Sequence, residues 1–226
     1  MKKVVVACVL VALICNVALA RKKDKAGSVK DNVFTDLKYG YSLDISDEWK
    51  YSIKKNKDNT RLILTQKNYE IPTHFLHAPN YTTVPKVTII VDTTSLPIKL
   101  FVDSLLLENV KSKQRKSILA EFPLLYGDFQ LKKRAQMSIG EVEGVRITGQ
   151  QQYTIQVQRQ GSQSNLGDVV TDFYGGSVFF AKVDDEHIIL FHFICEWRYY
   201  ESLDPVFEKL LEGLKFPDGD EKKDEG

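Results

Sequence analysis

Cysteine is scarce in this chain: there are three in 226 residues, and Cys8 and Cys15 both stand in the first 20 positions. If that segment is removed, Cys195 stands alone, so no internal disulfide can form and stability rests on packing. An excess of either charge is also missing, because 31 Lys and Arg face 30 Asp and Glu for a formal net charge of +1. That balance excludes the basic surplus by which nucleic-acid binders hold phosphate. Long apolar runs are few. The longest, Val4 to Ala20, is 17 residues with Asn16 among them, short of the roughly 20 that a membrane-spanning helix needs. Signature motifs are missing too: the chain carries no GxSxG, HExxH, Walker or dinucleotide fingerprint.

What the N-terminus does have is an export signal. Lys2 and Lys3 form a basic start, the apolar run follows, and Ala18-Leu19-Ala20 ends it with small residues at −3 and −1. Cleavage after Ala20 leaves 29 basic and 30 acidic residues, a net charge of −1. The expected location is periplasmic or extracellular, as a secreted protein. Arg21-Lys22-Lys23 opposes translocation of this end, so the alternative is an uncleaved anchor, and a membrane is a partner only in that case.

The mature remainder reads as one domain over 33–216. A flexible charged linker at 21–32 precedes it, and the disordered charged tail PDGDEKKDEG follows at 217–226. Strand signals begin near Val33 and run through Tyr41 to Ile45, Trp49 to Lys54, Arg61 to Gln66 and Lys86 to Asp92. Residues 68–85, with three prolines, two histidines and several aromatics, suit an ordered excursion. Ser95 and Pro97 then open a helix whose apolar stripe is Ile98, Phe101, Val102, Leu105 and Leu106. It ends near the basic run Lys111 to Lys116, and a short helix is predicted around Ser117 to Phe122.

The clearest alternation spans 129–139 and, after a turn at Gly140 to Gly144, 145–157, which predicts a long hairpin. With Ile139 opposite Val145, the polar pairs become Ser138 with Arg146, Gln136 with Thr148, Arg134 with Gln150 and Lys132 with Gln152. A strand over 169–183, with a bulge at Gly175-Gly176, leads to a strand over 187–197 that is apolar on both faces and therefore central. Asp204 and Pro205 open a closing helix through Leu214. The fold class expected is α+β: a twisted antiparallel β-sheet flanked by helices.

The entry text Tyr39-Gly40-Tyr41-Ser42-Leu43-Asp44-Ile45-Ser46-Asp47-Glu48-Trp49 and the ending Phe207 to Phe216 resemble the PsbP/Mog-like α/β/α sandwich family over about 33–216. The chain departs from it at Ser46-Asp47, where members commonly carry proline, and in the long excursion at 68–85. The resemblance implies a non-catalytic binding or assembly domain, and no functional residue of the family maps onto this sequence.

Candidate chemistry is thin. His74 and His77 have ligand spacing, but Pro72 and Pro79 oppose a regular helix, so an ordinary polar loop is the reading and no metal is expected. His192 and Cys195 are three apart on a strand, hence on opposite faces, and cannot form a local dyad. Asn80-Tyr81-Thr82 is a glycosylation sequon only in a eukaryotic source. The remaining candidate is the polar hairpin face of Lys132, Arg134, Arg146, Gln150 and Gln152, a partner-binding surface rich in hydrogen-bond donors. The leading expectation is thus an exported binding or accessory protein, monomeric, without catalytic residues or cofactor, acting on an unidentified protein partner. The alternatives are a small-ligand or lipid carrier with a cleft between sheet and helix, and an enzyme with a dispersed site.

Overall fold

In the computed structural model, which describes residues 24–69, 85–106, 130–157 and 168–217, the alternating segments become strands of two antiparallel sheets. The small sheet comprises β1 (Gly27–Lys30), β2 (Val33–Asp36), β3 (Ser42–Asp44) and β11 (Leu214–Lys215), in that order. The large one holds β4 (Trp49–Ile53), β5 (Thr60–Gln66), β6 (Lys86–Thr93), β7 (Gln130–Ile139), β8 (Val142–Val157), β9 (Asp168–Lys182) and β10 (His187–Glu196). Its order is β4-β5-β6-β10-β9-β8-β7. Among the described residues two helices complete the elements: α1 (Ile98–Leu106) and α2 (Tyr200–Glu212), the latter preceded by a 3-10 turn at Trp197–Tyr199. Expectations for the signal segment, His74, His77, Asn80, the helix near 117–122, the loop at 159–167 and the tail beyond Pro217 lie outside the described residues.

Because β10 is apolar on both faces, it occupies the middle of the large sheet and feeds two cores. On one face Ile188 and Leu190 join Val145, Ile147, Val178 and Phe180 under the α1 stripe of Phe101, Val102 and Leu105. On the other, Ile189, Phe191, Phe193 and Cys195 meet Phe34 and Leu43 of the small sheet and Phe207, Leu210 and Leu211 of α2. The Phe193 and Phe207 rings stack with centroids 5.1 Å apart. The layers are therefore α1, the large sheet, and a third layer shared by the small sheet and α2.

This corrects the expected single sheet between helices. The helices do lie on opposite faces, but the described residues are mainly β and include a second sheet whose strands are two to four residues long. β2 and β3 coincide with the strand signals near Val33 and over Tyr41 to Ile45, whereas β11, of two residues, is too short to leave a measurable period. The linker expected at 21–32 is corrected as well: β1 falls inside it, Ala26 is fully buried, and Lys25 bridges Lys55. Nor is there a bulge at Gly175-Gly176, since pairing with both β8 and β10 runs through without a shift. Glycine is needed at 175 for space: a Cβ there would stand 2.6 Å from the Trp197 ring. The closing helix starts at Tyr200, earlier than expected, with Pro205 inside it.

One buried ion pair ties the small sheet to the large. Arg61 on β5 is 1% exposed, and its Nε donates to Asp36 Oδ2 at 2.7 Å while Nη2 donates to Oδ1 at 3.1 Å. Nη1 donates to the Asn56 and Asp58 carbonyls, and the Tyr39 ring covers the guanidinium. A buried charge is tolerated when its donors are matched in this way.

Candidate functional site at the open edge of the large sheet

Strand β7 is the last strand of the large sheet, paired to β8 on one side and, among the described residues, to nothing on the other. Its hairpin with β8 is tighter than the sequence suggested. Ile139 pairs with Val142, and only Gly140 and Glu141 turn the chain; Gly140 takes φ +56° at the first central position, as a type II′ turn requires. The expected register, with Ile139 opposite Val145, is thus wrong by three residues. Because strand side chains alternate, an odd slip reverses which residues share a face.

The consequence for the proposed binding face is direct. Arg146 pairs with Ala135, not Ser138, and points toward α2. There its Nε donates to Ser177 Oγ at 2.6 Å, Nη1 to Glu208 Oε1 at 2.5 Å, and Nη2 to Asp204. The guanidinium also lies over the Phe207 ring. Burial works against its charge, yet the two α2 carboxylates outweigh that and hold its pKa above the ordinary arginine value. Arg146 is therefore an internal tie between sheet and helix.

Arg134 pairs with Ile147 and so faces the α1 side, where it is bonded to Asp103 and to the Lys99 carbonyl. Lys132 is exposed at a register shift between Leu131 and Lys133. Gln150, half-buried, shares the α2 side with Arg146, and its amide donates to Gln130 at 2.9 Å. Gln152 is exposed on the same side, where β8 and β9 have outrun β7 and β10 and, among the described residues, pair with each other alone. The five residues named from the sequence thus divide between two faces and one bulge. What the structure does collect is a row of exposed cations, Lys132, Lys133 and Arg134, along the open edge.

A groove flanks this edge on each face. On the α2 side, about 310 Å³ is lined by Lys133, Met137, Arg146, Tyr200, Asp204 and Glu208. On the α1 side, about 450 Å³ is lined by Pro97, Ile98, Lys99, Glu143, Val145 and Lys182. Both reach Gln136 and Met137. Lys182 is tethered there by the Thr94 and Asp185 carbonyls. Sequence reasoning overlooked Lys133 and Gln136 as site residues. It also overlooked the Asp204 and Glu208 pair, whose spacing of four on a helix was a signal that both face one cation.

The other candidates are interior. Cys195 lies in the α2-side core, and burial pushes its thiol well above the usual range. His192 pairs with Thr88 and Val178 on the opposite face, where burial and then Lys86 press its pKa down to about 3. The two are separated by the sheet, as alternation required. Among the described residues no group of three or more His, Cys, Asp or Glu is placed to hold a metal ion. Among the same residues no helix is long and apolar enough to cross a membrane.

No family model and no curated protein sequence matches the chain. It is similar in structure to the cyanobacterial PsbP of Synechocystis, solved in solution, with a TM-score of 0.49, 9% identity, and coverage of 84% of this chain and 98% of that one. It is also similar to LpqN of Mycobacterium tuberculosis, described as involved in cell envelope biogenesis, with a TM-score of 0.47, 8% identity, and coverage of 79% and 84%. A Pseudomonas aeruginosa protein of unknown function gives 0.42 at 15% identity, covering 78% and 92%.

Proposed function

We propose that the chain is an exported, non-catalytic accessory protein that holds a protein partner at the open β7 edge. The observation that carries this reading is the row Lys132, Lys133 and Arg134, exposed on an edge strand; among the described residues only Arg134 has an acidic partner. Three adjacent cations on a rigid strand attract an acidic surface and orient it before contact. Export rests on the basic start, apolar run and small-residue end of residues 1–20.

The test is a photo-crosslinking amino acid at position 132 in the full chain expressed in its source cells. One dominant crosslinked protein is expected, and it should vanish when Lys133 and Arg134 also become Gln. Exposed pairs contribute little to stability, so the variant should fold as well as the original. An unchanged crosslink pattern would discard the cationic edge as the contact.

A second reading, a small-ligand carrier, is favoured by the groove of about 450 Å³ between the start of α1 and the sheet, a volume within the range of small-molecule sites. A copurifying molecule in native mass spectrometry would support it, and a clean mass would weaken it.

A further inference from the structure

Edge strands expose unpaired backbone groups, and proteins blunt them with cations and bulges. β7 carries both devices, but only along half its length. The register shift lies between Leu131 and Lys133, and the cations are at 132, 133 and 134. From 135 to 139 the sequence is Ala-Gln-Met-Ser-Ile, without charge, and its pairing to β8 is regular. That unprotected half is also where the two grooves meet, since both are lined by Gln136 and Met137.

From this coincidence we infer that residues 135–139 of β7 accept an extended, acidic peptide segment of the partner as an eighth strand of the large sheet. The inference rests on the partner-binding reading above and specifies its geometry. A strand added at this edge sends alternate side chains to opposite faces. One set enters the α2-side groove beside Tyr200 and Asp204, and the other enters the α1-side groove beside Ile98 and Lys99. The large sheet is antiparallel throughout, so the added strand runs antiparallel to β7. Its C-terminal end then passes Arg134, Lys133 and Lys132, which is where its acidic residues belong. The same cations discourage an edge-to-edge pair with a second copy, leaving the acidic peptide as the occupant.

The experiment uses purified protein and a phage-displayed library of random ten-residue peptides, followed by hydrogen exchange with a selected synthetic peptide. Enriched peptides should alternate apolar residues and end in acids, and the amides of 135–139 should gain at least tenfold protection. Gln136→Glu with Ser138→Glu changes two exposed positions and should weaken binding at least tenfold while leaving the unfolding midpoint in place. Protection confined to another surface, unaltered affinity in the double variant, or no enrichment would overturn strand addition. Concentration-dependent dimers that protect 135–139 without peptide would overturn it in favour of a second copy. In each of these cases the crosslink at position 132 still decides the partner reading separately.

Discussion

Asp36 shows how much of this fold hangs on single buried groups. Its carboxylate receives the Arg61 guanidinium and the backbone N–H groups of Lys38 and Tyr39. Asp36→Ala leaves an uncompensated buried cation and should cost about 3–5 kcal/mol, read as a lower urea midpoint. A loss under 1 kcal/mol would mean that water reaches Arg61. His192 makes the second case, and its sign can be worked out. Its folded pKa of about 3 lies below the ordinary 6.5, so protonation favours the unfolded chain. Stability contributed by the neutral ring is complete above pH 6.5 and declines as pH falls toward about 3, by on the order of 5 kcal/mol in all. Buried Asp92, whose pKa is raised mainly by desolvation, shifts stability the opposite way. Urea midpoints from pH 7 to 4 for the original and for His192→Gln therefore isolate the imidazole. The variant should lose much of the acid slope, and parallel slopes would refute the assignment. Both His192 and Cys195 were legible as interior residues from their strand. Arg146 was not, because an arginine amid glutamines and threonines reads as surface until the carboxylates of a helix 58 and 62 residues later are seen to face it.

At the scale of elements, long periodic segments declared themselves and short or turn-defined ones did not. β6, β7, β9, β10 and α1 were readable because each repeats its pattern over several residues, and β3 fell within the strand read over Tyr41 to Ile45, whereas β1 and β11 offer four and two residues. The hairpin register failed for a different reason. A five-residue turn with a glycine at each end fitted the alternation, but Gly144 belongs to the strand, against Phe179. A Cβ at 144 would collide with that ring and stand 2.5 Å from the Phe180 carbonyl oxygen, whereas one at 140 meets nothing within 4 Å. Gly140→Ala should therefore cost only its positive φ, about 1 kcal/mol. Gly144→Ala should cost about 3 kcal/mol, since a backbone oxygen cannot rotate aside. Equal urea midpoints for the two would mean that the register seen here is wrong.

For the whole molecule, export and burial meet in one measurement. With the signal removed, the native chain should not react with a thiol reagent at pH 8, because Cys195 is buried. After denaturation, one thiol per chain means that Cys8 and Cys15 left with the signal, and three mean that the N-terminal segment was retained. In a chain that shows one thiol after denaturation, reaction at once in the folded state would contradict the packing of β10. The small sheet carries a further implication, in time rather than space. Its last strand, β11, pairs with β3 at Leu214↔Leu43 and Lys215↔Ser42, so residues near opposite ends of the chain must meet before that layer is complete. Contacts this distant in sequence form slowly, and synthesis delivers the N-terminal strands first. A ribosome-bound chain lacking residues 214–215 cannot yet close its third layer, so that layer is the last part of the fold to be completed.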